Sequence, residues 1–162
     1  MYQWNTGSHR IVTGNDSGEI TFWDGSLFAY ITHSQASSNG AITSMEWTHD
    51  ERYISVAVSN GEVQLHEPTI NNLQNWRAHD RSVMDMSWAP SGYKLVTCSE
   101  DNTVRIWDIE TIKQGAEQQL EGHGSSVHTI DWHPYSSLIA SGSRDSQVMF
   151  WDARVGKPLH TR

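Results

Sequence analysis

The chain has 162 residues and a net charge of −8, and this acidic balance argues against autonomous nucleic-acid binding because phosphate contacts need a Lys/Arg surface. Its only cysteine, Cys98, excludes an internal disulfide and fits a reducing compartment. No membrane-length apolar stretch or signal-peptide core occurs, so we expect an intracellular, soluble protein.

Along the chain, the pattern predicts short strands joined by tight turns. The turns DSGE and SNGE come first and supply the Asn, Asp and Gly that hairpins need for positive φ. The clearest unit follows, with strand SVMDMSW, turn APSG, strand YKLVTCS, turn EDNT and strand VRIWDI. The segments SLFAYIT, NLQNWRA, EQQLEGH and GKPLHTR predict outer strands. No helical period appears, so the expected fold class is all-β.

The spacing of the tryptophans shows an internal repeat. Three pairs are each 19 residues apart: Trp4 and Trp23, Trp88 and Trp107, Trp132 and Trp151. Trp47 lies 19 residues before His66, which stands where a fourth partner is expected. The first members of the four pairs are 43, 41 and 44 residues apart. A period of about 40–45 residues that ends in Trp-Asp is typical of one propeller blade.

Over essentially its whole length the sequence resembles the WD-repeat family, which implies a partial β-propeller. We expect about three and a half four-stranded blades of a seven-bladed propeller, and hence a fragment or partial product. The expected units are residues 1–24 (incomplete), 25–67 (degenerate), 68–108 and 109–152, with 153–162 as the outer strand of the following blade.

In that family, each blade holds a buried network of His, Ser, Asp and Trp. The matching residues are His79, Ser99, Asp101 and Trp107 in one unit and His123, Ser143, Asp145 and Trp151 in the next. A buried indole N–H needs an acceptor, and we expect the serine to supply it while the aspartate anchors the histidine. The second unit has Val58, Asn60 and His66 at these places, so we expect apolar packing alone to hold it.

The same residue types could suggest a hydrolase triad, but they recur at the blade period and the serine lies in mid-strand. His128 and His133 are five residues apart, which places them on opposite faces of a strand and argues against a metal site. We therefore predict no enzyme activity, no metal and no cofactor.

Five ordered segments carry a more specific resemblance: Arg10–Gly25, Ala41–Trp47, Asn71–Val83, Leu95–Asp108 and Leu120–Pro134. Together they resemble the WD-repeat subunits of the cleavage and polyadenylation factor. This implies a nuclear, non-catalytic subunit that helps bind the AAUAAA-type signal in pre-mRNA, beside a zinc-finger subunit and a large multi-propeller scaffold subunit. It also implies a basic N-terminal arm. No Lys/Arg-rich segment stands before Trp4 in this sequence, so weak RNA binding by this chain alone is expected.

The resemblance further implies an RNA-stacking aromatic after the Trp-Asp-Gly of the first blade. Tyr30 is the first candidate and Phe28 the second. Aromatic rings commonly stack on splayed RNA bases. Alternatively, both rings belong to an outer strand and pack between blades.

Two other functions stay open. Trp151, Asp152 and Arg154 fit a short Trp-Asp-x-Arg motif by which some propellers dock on the adaptor of a cullin-type ubiquitin ligase. A generic protein-interaction scaffold is the third possibility, because a propeller fold by itself does not specify a function.

Overall fold

The computed structural model describes residues 1–5, 7, 9–67 and 72–161, which form four antiparallel four-stranded sheets. The first sheet contains β1 (Tyr2–Asn5), β2 (Arg10–Gly14), β3 (Glu19–Asp24) and β4 (Ala29–Gln35). The second contains β5 (Ile42–Trp47), β6 (Ile54–Val58), β7 (Glu62–His66) and β8 (Asn72–Arg77). Residues 68–71, which begin the quoted segment Asn71–Val83 and the third expected unit, lie outside the described part.

The third sheet contains β9 (Val83–Trp88), β10 (Lys94–Ser99), β11 (Val104–Asp108) and β12 (Gln118–Leu120). The fourth contains β13 (Val127–Trp132), β14 (Leu138–Ser143), β15 (Val148–Asp152) and β16 (Lys157–Thr161). A 3-10 turn (Ile112–Gln114) lies between β11 and β12. In the described residues, we find no helix with the length and apolar character that a membrane crossing requires.

The sheets confirm the all-β class and the four-stranded blade, but the blade count differs from the expected three and a half. Strand β1 completes the first sheet, and β16 pairs with β15 in the fourth sheet instead of belonging to a following blade. The reason is that the segment after the third strand of each sheet folds back and pairs antiparallel with that strand. Each sheet therefore extends one strand beyond its repeat in the sequence.

The core is divided into three apolar clusters, one between each pair of neighbouring blades. The cluster between the second and third blades contains Leu65, Met86, Leu95 and Trp107, and equivalent clusters lie on either side of it. Strand β10 is buried on both faces because a blade lies against each of them. Its Cys98 thiol is fully buried, and burial raises its pKa.

Neighbouring blades are also linked through their first strands. Glu46 Oε2 accepts a hydrogen bond from the backbone N–H of Trp88 at 3.1 Å. One blade further on, Ser87 Oγ accepts from the backbone N–H of Trp132 at 3.2 Å. Burial raises the pKa of Glu46 from its ordinary value of 4.5 to about 8, with a further contribution from the nearby carboxylates of Asp85 and Asp131.

Within the third blade, a polar network holds the buried indole of Trp107. Its Nε1–H donates to Thr97 Oγ1 at 3.0 Å, and the same oxygen lies 2.7 Å from His79 Nε2. His79 Nδ1 lies 2.9 Å from Asp101 Oδ2. Burial opposes ionisation of Asp101, but hydrogen bonds from His79 and Thr103 outweigh it and hold the pKa of Asp101 below its ordinary value.

The fourth blade repeats this arrangement. Trp151 Nε1–H donates to Ser141 Oγ at 2.9 Å, and that oxygen lies 2.8 Å from His123 Nε2. His123 Nδ1 lies 3.0 Å from Asp145 Oδ2. In the first blade, Trp23 Nε1–H donates to Thr13 Oγ1 at 3.0 Å. One hydroxyl, ten residues before the tryptophan, therefore accepts the indole hydrogen bond in all three blades.

The prediction that Ser99 and Ser143 accept the indole hydrogen bonds is wrong. Register pairs Leu95 with Trp107, so Thr97 lies beside the indole on the same face, whereas Ser99 lies at the turn. Ser99 Oγ accepts from the backbone N–H of Asp101 at 3.1 Å, and Ser143 Oγ does the same for Asp145 at 3.2 Å. The two serines thus shape the hairpin turns.

The second blade also departs from expectation, because it is not held by apolar packing alone. His66 Nε2 lies 2.9 Å from Gln64 Oε1, and Gln64 Nε2 donates to the backbone carbonyl of Ala36. Because the Gln64 oxygen is an acceptor, Nε2 of His66 carries the proton. Burial lowers the pKa of His66 to about 4, consistent with a neutral ring. A Gln–His pair therefore replaces the missing Trp network.

Thr97→Val tests the assignment of the indole acceptor. The substitution keeps the side-chain shape but leaves the Trp107 N–H and His79 Nε2 without their shared partner. We expect a loss of about 2–4 kcal/mol in the free energy of unfolding, since each orphaned buried group costs about 1–3 kcal/mol. Ser99→Ala is the control and should cost under about 1.5 kcal/mol, the size of one net hydrogen bond. Urea denaturation measures both, and a larger loss for Ser99→Ala would contradict the assignment.

Glu46→Gln tests the raised carboxyl pKa. The folded state holds a proton that the unfolded state releases, so stability should fall as pH rises from about 4.5 to about 8. Gln keeps the acceptor for the Trp88 N–H without the charge. At pH 9, the free energy of unfolding of Glu46→Gln should exceed that of wild type by about 2 kcal/mol. This is less than the full pKa difference implies, because water screens a half-buried group. Thermal or urea unfolding across pH measures this, with Glu110→Gln as the exposed control, and equal pH dependence in wild type and Glu46→Gln would refute it.

Candidate functional site

The first blade presents an exposed patch, which we call the aromatic patch. It consists of the rings of Phe28 and Tyr30 and the neighbouring side chain of Leu27. Leu27 and Phe28 lie in the turn between β3 and β4, and Tyr30 lies in β4, the outer strand of the blade. Phe28 is 71% exposed and Tyr30 is 55% exposed, although both are aromatic. Large apolar side chains at this exposure are individually ordinary, but three of them occur here within four residues of the chain.

Local hydrogen bonds set the turn that projects the patch. Asp24 Oδ1 accepts from the backbone N–H of Ser26 at 2.8 Å and of Leu27 at 2.9 Å. Phe28 then adopts a φ of 52°, a left-handed conformation that is uncommon for a bulky residue. Gly25 is required before it, because a Cβ there would lie 2.5 Å from the His9 carbonyl oxygen.

Tyr30 is held by two ring contacts within its own blade. Its ring lies edge-on to that of Trp23, with centroids 6.1 Å apart. Its hydroxyl lies 2.6 Å from His33 Nδ1. These contacts fix the ring while leaving more than half of the side chain open to solvent. Among the described residues, Tyr30 is therefore a positioned, accessible ring with its ring contacts inside its own blade.

The eight predicted network residues lie apart from this patch, in the third and fourth blades. His79, Asp101 and Trp107 come together with Thr97, and His123, Asp145 and Trp151 come together with Ser141. Although hydroxyl, imidazole and carboxylate are aligned as in a catalytic relay, Thr97 and His79 are fully buried. A substrate has no open approach to these atoms.

The alternative docking motif lies at the end of β15 and in the turn after it. Trp151 is fully buried, and its indole hydrogen bonds to Ser141 inside the blade. Arg154 is exposed but folds onto Asp152, with Nε 2.9 Å from Oδ1 and Nη2 2.6 Å from Oδ2. This pairing with Arg154 holds the pKa of Asp152 below its ordinary value. The motif thus forms a local bidentate ion pair.

Sequence reasoning missed three residues that matter to these sites. Thr97 and Ser141 could have been found because a hydroxyl stands nine residues after the first Trp wherever the second Trp is present, and Val56 stands there in the unit that has His66 instead. Leu27, 77% exposed, had no signal of its own, because only the turn geometry shows that it joins Phe28 and Tyr30.

Comparison with known proteins agrees with this fold. The family model for the WD domain, G-beta repeat, matches residues 70–108 and 116–152. Polyadenylation factor subunit 2 of Cryptococcus neoformans is 36% identical over 122 residues, covering 75% of this chain. The Candida albicans protein of the same name is 36% identical over 112 residues, covering 69%. Actin-interacting protein 1 of Drosophila melanogaster is 30% identical over 105 residues, covering 63% of this chain and 17% of its own length.

The chain spans only 17% of the Cryptococcus relative and 20% of the Candida relative. The similarity therefore concerns a set of blades within a longer protein. Four consecutive four-stranded sheets, a Trp-centred network repeated from blade to blade and the matched repeats agree with one another. The chain belongs to the WD-repeat family and forms part of a β-propeller.

Proposed function

We propose that this chain is part of a non-catalytic WD-repeat subunit of the nuclear pre-mRNA cleavage and polyadenylation machinery, and that its aromatic patch contacts RNA at the AAUAAA-type signal. The exposed, positioned ring of Tyr30 beside Phe28 is the observation that carries this proposal. Similarity to relatives named polyadenylation factor subunit 2 supports it.

The chemistry of the patch suits splayed bases better than a phosphate backbone. Flat rings stack on any base, whereas phosphate binding needs cations. Asp24 lies at the base of the turn, and the whole chain carries −8. The patch therefore acts with partner subunits that supply positive charge, for which the zinc-finger subunit and the large multi-propeller scaffold subunit are the candidates.

A scaffold role fits the interior of the blades. The aligned hydroxyl, imidazole and carboxylate groups hydrogen bond to one another and to the buried indoles. They therefore stabilise the sheets. The cullin-adaptor alternative is disfavoured because Trp151 is buried and Arg154 is paired with Asp152.

Substitution of Tyr30 tests the RNA contact. In a reconstituted polyadenylation factor that contains this subunit, Tyr30→Ala should weaken binding of an AAUAAA RNA by about 1–3 kcal/mol, roughly 5- to 150-fold, the value of one aromatic–base stack. Tyr30→Phe should retain most of the affinity, because it keeps the ring and loses only the bond to His33. Phe28→Ala should also weaken binding, because it removes the second exposed ring of the patch. Fluorescence anisotropy and photo-crosslinking to the labelled RNA measure these effects.

The matched control is Tyr135→Ala, which removes a 91% exposed tyrosine from the fourth blade. It should leave RNA binding and complex assembly unchanged. The RNA contact would be ruled out by Tyr30→Ala and Phe28→Ala complexes that bind and crosslink like wild type. A failure of the intact subunit to copurify with polyadenylation subunits would reject the wider role.

A further inference from the structure

A groove on the rim of the propeller lies between the second and third blades. Its walls are Gln74–Arg77 of β8 and the segment 112–119, which contains the 3-10 turn and β12. Its volume is about 630 Å³, the range in which proteins hold small or extended ligands. We call it the rim groove. Its lining residues belong to other blades than the aromatic patch on the first blade.

The charge of the rim groove is opposite to that of the chain as a whole. Three basic side chains line it: Arg77, Arg105 and Lys113. The one carboxylate in its lining, Glu117, is neutralised by Lys94, whose Nζ lies 2.6 Å from Glu117 Oε1. A concentration of cations on a chain of net charge −8 marks a local site for anions.

The cations of the groove are only loosely matched by carboxylates of the chain itself. Arg105 Nη2 lies 3.9 Å from both Asp80 and Asp101, beyond hydrogen-bond distance. Asp101 is already engaged by His79 and Thr103. Arg77 donates to a backbone carbonyl, that of Asp80, at 3.3 Å. Arg105 Nη1 also donates to the Ala78 carbonyl at 2.7 Å, so Arg105 offers mainly its Nη2, whereas Arg77 keeps most of its guanidinium for an external carboxylate.

Two residues that line the groove also carry buried hydrogen-bond donors. Among the described residues, neither Trp76 Nε1–H nor Arg105 Nε–H has an acceptor, although both atoms are buried. Buried donors without partners are costly and rare. Gln118 Oε1 has no partner in the described part either, but it is turned toward Gly156 of the fourth blade. Because both donors are buried behind the groove surface, the attraction for an acidic occupant comes from the exposed cations.

The strands that bound the groove favour an extended occupant. Strand β8 pairs with β7 and β12 pairs with β11, and in the described sheets each has its other edge unpaired. A polyphosphate chain suits the surroundings poorly, because the Asp80 side chain beside Arg105 is 82% exposed and would repel it. A peptide can place one or two carboxylates on the cations and present neutral residues elsewhere.

We propose that the rim groove between the second and third blades binds an extended acidic peptide segment of a partner protein, with its Asp or Glu carboxylates on Arg77, Arg105 and Lys113. This interaction is separate from the proposed RNA contact. Either one can fail without the other.

A random ten-residue peptide display library, selected on the purified chain, tests the proposal. The double variant Arg77→Gln/Lys113→Gln removes two exposed cations without touching the blade network. We expect selected sequences to be enriched in Asp and Glu, and to bind the double variant at least tenfold more weakly. Replacing the acids of a selected peptide with Asn and Gln should also weaken binding at least tenfold. Raised salt should weaken the wild-type interaction.

The control variant, Arg81→Gln/Arg144→Gln, makes the same charge change on exposed turns outside the groove and should bind the peptides as wild type does. No enrichment, enrichment of neutral or basic peptides, or equal weakening by both double variants would overturn the proposal. A labelled ten-nucleotide uridine RNA is tested in parallel. If this RNA binds at least as tightly as the peptides and is lost in Arg77→Gln/Lys113→Gln, the groove belongs to RNA and the peptide proposal is wrong.

Discussion

The indole N–H of the Trp-Asp tryptophan is the constraint on which each regular blade depends. The ring is large enough to fill the space between two sheets, but its single donor cannot be left unpaired there. A hydroxyl on the neighbouring strand solves this problem in three blades, as Thr13, Thr97 and Ser141. In the third and fourth blades that hydroxyl also contacts a histidine, which the turn aspartate anchors. The network thereby ties the connection from the preceding blade to the inner strands.

The second blade shows what happens when that constraint is released. With His66 in place of Trp, the hydroxyl position is occupied by Val56 and no indole acceptor is needed. Gln64 then links His66 to the carbonyl of Ala36. Arg105 makes the corresponding link in the third blade, where its Nη1 donates to the carbonyl of Ala78 at 2.7 Å. Both blades thus attach the segment that enters from the preceding blade, but they use different side chains to do so.

Features that repeat and features that do not repeat have different roles in this molecule. The repeated groups are buried and mutually satisfied, so they have little capacity for an external ligand. The aromatic patch of the first blade and the rim groove occur once among the described blades, and both lie at outer strands. One offers flat rings and the other offers cations and donors. The two surfaces suit different partners on a common scaffold.

The sequence by itself determined the all-β class and the Trp-Asp repeat. The 19-residue spacing reflects two strands and their turns, and it can be recognised without knowing any tertiary contact. Phe28 and Tyr30 are singled out as candidates through a family resemblance at the Trp-Asp-Gly turn, and their role stays a prediction. Only the tertiary structure decided that Thr97, and not Ser99, accepts the indole hydrogen bond, since both hydroxyls share a strand face and cross-strand register selects between them. It also decided that β16 completes the fourth sheet and that Arg77, Arg105 and Lys113 meet in one groove, because these relations join segments that are distant along the chain.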